Sequence, residues 1–551
     1  MKAPSDNRRN DPRWDPEIFL VVQIAICISV LSFLYYLKQG DVLLYGDVFG
    51  HINIARRVFD SRTPGLLQLG TVWLPLPHLL MIPFLLGNWM WQTGIGGSIP
   101  SLLAYIFVVA GIFRLTRSAL STAPVPDVSA RRCAWIASLI VAANPNLIYM
   151  QATAMTEALY LGFAIWAVVY FAEYVRQFNA GDGGFSGALL KCGLCLAAAC
   201  LTRYDGWFLA AAVSVGLIAI QIFGRRTSAT TTARFLLLAA AAPVLWISYN
   251  AVVYRNPLEF ANGPYSAKAL AQKDAAAGTS PYPGAGSIPV ASAFFLKSAE
   301  LNVAEGNWGR FWLGVACGGV VVLLVWHRQL WPLLLLWMPL PFYSLSMAYG
   351  GVPIYLPVWW PHGYYNVRYG LELIPAFAVF IAIALFELLR RIAIPRARLA
   401  PVLLGLALVT GCYTQVWRTQ PICFREALVN SKVRNSVEGS LGENLKMLPP
   451  NSTILMYIGN HVGALQREGI PIRRTINENN TLPWRKRTDP PGLWDAALAN
   501  PSQFADYVVA EDGDAVAQYV NREQLTSLVV IHTSGAPPIT IYSTLRAQES
   551  H

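Results

Sequence analysis

The ionisable residues at those edges of the apolar runs that the topology below places outside form a small set: Asp41, Asp47 and His51, then Glu157, Arg203 and Asp205, then Arg368 and Glu372. Their types suit proton transfer combined with anion handling. Asp47 stands in Tyr45-Gly46-Asp47-Val48-Phe49-Gly50-His51, with His51 one helical turn on. A carboxylate within hydrogen-bond reach of a hydroxyl can take its proton. Arg368 follows the aromatic stretch Val358 to Tyr365, and its forked guanidinium suits a phosphate anion. Catalytic candidates are therefore Asp47, Glu157 and His51, and candidates for holding a substrate are Arg368, Arg203, Asp205, Glu372, His78 and Tyr365.

Each candidate has a plainer alternative. Asp47 could simply cap the helix after Gly46, and Glu157, following Thr156, could serve a helix start in the same way. Arg368 could snorkel to an interface or pair with Glu372, and Arg203 could pair with Asp205 across a very short loop. The hard oxygen ligands also leave open a divalent cation at Asp47, His51 and Glu157, although no cofactor is required.

The elements that must position these residues are membrane spans. The 551 residues are 54% hydrophobic and 13% charged, with a mean hydropathy of +0.41, which excludes a soluble protein. Many of the 18 Trp and 24 Tyr cluster near the ends of apolar runs, where amphipathic rings prefer the headgroup region. The net charge of +11 does not signal nucleic acid, because the basic residues lie in short loops between those runs. Of the 8 Cys, only Cys423 lies in a clearly polar region, and neither a disulfide framework nor a zinc spacing follows. The polar start, with Lys2, Arg8, Arg9 and Arg13, leads into an apolar run without a small-residue cleavage site and reads as preceding a retained span.

Eleven runs are long enough to span: Ile18 to Leu37, Ser98 to Leu115, Ala134 to Met150, Glu157 to Val175, Gly187 to Leu201, Tyr204 to Phe223, Arg234 to Val253, Phe311 to Trp326, Leu330 to Met347, Tyr369 to Leu389 and Leu399 to Trp417. A twelfth, Val72 to Trp91, contains Pro75, Pro77 and Pro83. If it spanned, Arg114, Arg117, Arg131, Arg132, Arg225, Arg226, Arg390, Arg391, Arg396 and Arg398 would all face outward, against the positive-inside bias. It is therefore expected to lie along the membrane surface within a large first outer loop, 38–97. The expected organisation is a cytoplasmic segment 1–17, a membrane module 18–417 with a further outer loop 254–310, and an external soluble α/β domain 418–551. That domain shows strand-like runs at Ser452 to Ile458, Ala505 to Ala510 and Leu525 to Thr533. In this topology the ionisable set converges on the outer, periplasmic-type face of a multi-pass plasma (inner) membrane protein.

The ordered combination of short motifs resembles a known superfamily. Asp47-Val48-Phe49-Gly50-His51-Ile52-Asn53-Ile54-Ala55-Arg56-Arg57, then Trp73-Leu74-Pro75-Leu76-Pro77-His78, Asn144-Pro145 and Met155-Thr156-Glu157 are similar to the GT-C glycosyltransferases, in the polyprenyl-phosphate-sugar-dependent branch that includes protein mannosyltransferases and aminoarabinose transferases. The resemblance covers roughly Asp15 to Trp417 and leaves the tail uncovered. It implies a polyprenyl-phosphate-linked sugar as donor, an acceptor on a protein, lipid or glycan, Asp47 as general base, Glu157 as its supporting acid and Arg368 at the lipid phosphate. Where many relatives have two adjacent acids in the first loop, Asp47 is followed here by Val48, so that the second role either passes to His51 or is absent. The rival class is a transporter or flippase for a lipid-linked solute. It is disfavoured because the charges gather on one face and no inverted repeat is visible.

Overall fold

The computed structural model describes residues 17–121, 127–181, 186–224, 229–481 and 492–549. The polar start with Lys2, Arg8, Arg9 and Arg13, and the loop residues Arg225 and Arg226, lie outside the described residues. The chain divides into two units, one formed by 1–39, 100–246 and 261–426, the other by 40–99, 247–260 and 427–551.

In chain order the first helices are α1 (Glu17–Gln39), α2 (Gly46–Arg57), α3 (Leu76–Met81), α4 (Asn88–Gln92), α5 (Ile95–Leu120), α6 (Asp127–Ala142), α7 (Pro145–Gln151), α8 (Glu157–Asn179), α9 (Gly187–Cys200), α10 (Asp205–Gly224) and α11 (Ala229–Val253). They are followed by α12 (Glu259–Asn262), α13 (Ala267–Ala276), α14 (Ile288–Val303), α15 (Asn307–Trp326), α16 (Pro339–Tyr349), α17 (Ile374–Arg391), α18 (Leu399–Thr419), α19 (Ile422–Lys446) and α20 (Val462–Glu468).

Among the described residues nine helices are long and apolar enough to cross a membrane, or ten if α6 and α7, which meet at a 59° bend, count as one. The chain is thus a polytopic helical membrane protein, with one span fewer than the eleven apolar runs suggest. The difference is α9, whose 14 residues reach about 21 Å, short of the ~30 Å hydrocarbon core. The bend has a local cause. Asn144 caps α7 by accepting from the Leu147 amide at 2.9 Å, and Pro145 in the first turn has no amide to continue the preceding helix.

The membrane unit is built around α17, which is buried on almost every side and packs against α6 and α15. By contrast α1, α11 and α18 bury less than a quarter of their apolar windows, so their remaining faces offer hydrocarbon side chains to lipid. The run Val72 to Trp91 forms no long helix. Its longest piece, α3, has six residues and reaches about 9 Å, because Pro75, Pro77 and Pro83 interrupt the ladder.

In the second unit, β1 (Ile454–Met456), β2 (Thr475–Ile476), β3 (Tyr507–Glu511), β4 (Thr526–Ile531) and β5 (Ile539–Ser543) form one sheet in the order β2-β1-β3-β5-β4. The first three are parallel, while β5 runs antiparallel to both β3 and β4. β1, β3 and β4 fall in the strand-like runs of the sequence. β2 has only two residues, and β5 follows directly on Pro537 and Pro538. Leu455, Val508 and Trp494 are buried together on one face of this sheet.

Candidate active site

In the membrane unit five of the expected residues meet in one ion network. Glu157 is the first residue of α8, completely buried, and its Oε1 accepts from Arg203 Nη1 at 3.3 Å and from Arg368 Nε at 3.1 Å. Arg203, in the short link between α9 and α10, also donates to Thr156 Oγ1 at 2.9 Å and to the Tyr343 hydroxyl at 2.7 Å. Its Nε lies 3.4 Å from Asp205 and 3.2 Å from Glu372. Tyr343, from α16, donates to Glu372 Oε1 at 2.7 Å. Arg368 pairs on its other side with Glu426 at 3.2 Å, and Glu426 also accepts from the Asn366 amide at 2.8 Å.

Local structure explains why these groups meet. Arg368 and Glu372 sit in one 3-10 turn, Val367–Leu373, that leads into α17. The turn lies directly on the α14 backbone at Gly370, where a Cβ would come within 2.4 Å of the Ser298 carbonyl carbon. Asn302 of α14 fixes the start of the same turn by donating to the Val367 carbonyl at 2.7 Å. Aromatic faces complete the arrangement. The Tyr369 ring lies about 5 Å from both guanidinium groups, 5.2 Å from Arg203 and 5.1 Å from Arg368, and stacks on Tyr343.

Four carboxylates (Glu157, Asp205, Glu372, Glu426) thus face two guanidinium groups. Oε2 of Glu157 is buried without a hydrogen-bond partner among the described residues. The plainer sequence alternatives are resolved differently from one another. Arg203 does pair with Asp205, whereas Arg368 pairs with Glu157 and Glu426, and Glu372 with Arg203.

In the second unit Asp47 and His51 lie on α2, with Asp47 half-buried and His51 buried. Asp47 is not the cap of this helix. The capping position belongs to Tyr45, whose side chain makes no capping bond, and Asp47 sits inside the first turn. His51 Nδ1 lies 2.9 Å from His78 Nε2, and the Trp73 ring packs on His51 with 4.3 Å between centroids. His78 is fully buried, and burial, aided by the neighbouring His51 and Arg57, holds its imidazole well below the usual histidine range. His78 is thus neutral at pH 7 and serves His51 as a hydrogen-bonding partner rather than as a cation. Asp41 opens a single 3-10 turn before α2, and burial raises its carboxyl.

Tyr365 stands apart from the network of the membrane unit. It is 48% exposed and exchanges backbone hydrogen bonds with Tyr355 at 3.0 and 3.2 Å. Among the described residues no group of three or more His, Cys, Asp and Glu side chains is arranged to hold a metal. Sequence reasoning missed Tyr343 and Glu426. Tyr343 lies within an apolar run and gives no signal there, and Glu426 looks like any acid at the start of a polar tail. Trp73 was visible only as part of a motif.

No protein-family model matches the chain, and no curated protein matches its sequence. Solved structures do match. ArnT from Cupriavidus metallidurans bound to undecaprenyl phosphate aligns over 96% of this chain and 98% of its own, at 14% identity and a TM-score of 0.55. The same protein in the apo state aligns over 97% and 98%, at 15% identity and 0.55. The Archaeoglobus fulgidus oligosaccharyltransferase in the apo form aligns over 90% of this chain and 69% of its own, at 12% identity and 0.47. The likeness to ArnT runs through the membrane helices and on into the C-terminal sheet, and the chain therefore shares the fold of that membrane protein.

Proposed function

We propose that the chain transfers one sugar from a polyprenyl-phosphate donor to an acceptor hydroxyl or amine at the outer face of the membrane, with inversion and with Asp47 as general base. The observation that carries this reading is the end-to-end fold likeness to an ArnT structure that has undecaprenyl phosphate bound.

In this reaction the acceptor oxygen or nitrogen attacks the anomeric carbon, the bond from that carbon to the phosphate oxygen breaks, and its electron pair leaves with the lipid phosphate. The acceptor proton passes to Asp47. The leaving group is already a stable anion, so the protein's main contribution is position and compensating charge. Arg368 and Arg203 are the cations proposed for it. Both are engaged by Glu157, and a phosphate that approaches either must compete with that carboxylate. Glu157 is accordingly assigned the role of holding the two forks in place. His51, backed by His78 and Trp73, orients the acceptor side.

The test uses purified protein in lipid nanodiscs with a set of radiolabelled polyprenyl-phosphate sugars. Transfer of label to an acceptor with stoichiometric release of the free lipid phosphate is expected. Movement of intact labelled donor across a bilayer without cleavage would replace transfer by transport.

A further inference from the structure

In the second unit, the segment 427–551 grips α2. Asn53 Nδ2 donates to Gln466 Oε1 at 2.6 Å, Gln466 Nε2 donates to the Trp91 carbonyl at 2.8 Å, and Trp91 Nε1 donates back to Asn53 Oδ1 at 2.9 Å. The three residues are at most 2% exposed, so this closed ring of hydrogen bonds has no water to substitute for a lost member. A second grip lies one turn earlier. Arg434 donates to the Leu44 carbonyl, and its guanidinium lies 5.3 Å from the Phe49 ring, with Arg467 at 5.7 Å from the same ring. Glu438 pairs with both arginines, at 3.8 and 3.4 Å. The fit at the helix start is close enough that a Cβ on Gly46, the neighbour of Asp47, would come within 2.9 Å of Arg434 Nη1.

The grip has a direction. Phe49 and Asn53 are four residues apart and share one side of α2, as do Asp47 and His51, and the two pairs are separated by roughly 200° around the axis at ~100° per residue. Holding the Phe49 and Asn53 side therefore sets the rotation of the helix, and with it the direction in which Asp47 and His51 present their side chains. We infer that the C-terminal segment is a clamp that orients α2, with Gln466 and Arg434 as positioning residues for Asp47. This inference rests on the general-base reading of Asp47 given above.

The experiment compares full-length wild type with Gln466→Met, which keeps the side-chain length and removes both hydrogen bonds. Backbone hydrogen exchange in peptides covering 44–57 is expected to rise by about tenfold or more, while peptides from α8 and β3 keep their protection. Arg434→Lys keeps the charge and loses the fork, and it is expected to raise exchange in the same peptides. It decides the matter if Gln466→Met does not fold. Unchanged exchange in 44–57, or equal loosening of α2 and β3, overturns the clamp. In the transfer assay kcat is expected to fall about tenfold with donor KM unchanged, as for a mispositioned base. Loosened α2 with undiminished kcat overturns the clamp's role in positioning Asp47. Absence of any transfer in wild type instead removes the enzymatic reading and leaves the exchange result standing by itself.

Discussion

Asp47→Asn separates a base from a structural acid with little ambiguity. The substitution conserves shape and one carbonyl oxygen and removes the charge and the basicity. Because Tyr45 occupies the capping position, the helix-dipole contribution of Asp47 is that of a negative charge in the first turn, about 0.3–1 kcal/mol at a partly exposed site. Loss of a general base slows turnover ~10²- to 10⁴-fold, which is about 2.7–5.5 kcal/mol of barrier. The catalytic effect should therefore exceed the stability effect about threefold or more. The assay is single-turnover transfer from a radiolabelled polyprenyl-phosphate sugar, with donor affinity and thermal unfolding measured on the same preparations. Expected are a rate loss within that range, near-normal donor binding and a barely shifted unfolding transition. A folded variant with the wild-type transfer rate would refute the assignment.

Three further outcomes are expected. Arg203→Met removes the cation shared by Glu157, Asp205 and Glu372, all nearly inaccessible, and should cost about 3–5 kcal/mol in denaturant titrations; Glu372→Gln in the same chain should recover part of it, and additive losses would show that the two do not interact. Met447, 82% exposed, lies in the segment read as external, so a membrane-impermeant maleimide should label Met447→Cys in intact cells; labelling only after permeabilisation would reverse the topology. His78 is held neutral by burial, so below about 6.5 the unfolded chain takes up a proton that the folded one refuses. The second unit should thus lose stability as pH falls from 6.5, by hydrogen exchange of α3, and His78→Gln should flatten that dependence; an unchanged slope would assign it to another group.

The amino-acid sequence alone determined the membrane character, because spans are set by length and apolarity and need no partner to be recognised. It also determined where the chain must break. Pro75, Pro77 and Pro83 forbid a continuous helix through Val72 to Trp91 through local backbone chemistry, whereas the bend at Asn144-Pro145, within a run read as one continuous span, emerged only in the structure. At α9 the apolar run is legible in the sequence, while the length of the helix that forms from it, 14 residues, is decided by its neighbours. Likewise Arg203 and Asp205 could be paired from their spacing, two residues apart.

Only the tertiary structure decided that Arg368 pairs with Glu157 and Glu426 instead of Glu372, four positions along its own chain. The 3-10 turn that carries both residues lies against α14 at Gly370, and the contact fixes the direction of each side chain independently of sequence spacing. Tyr343 shows the same limit from another side. A hydroxyl in an apolar run has no sequence signature, and its bonds to Arg203 and Glu372 exist because α16 and the start of α17 meet in space. The grip of Gln466 on Asn53 joins residues more than 400 positions apart, where no periodicity or motif can reach and only packing brings the partners together.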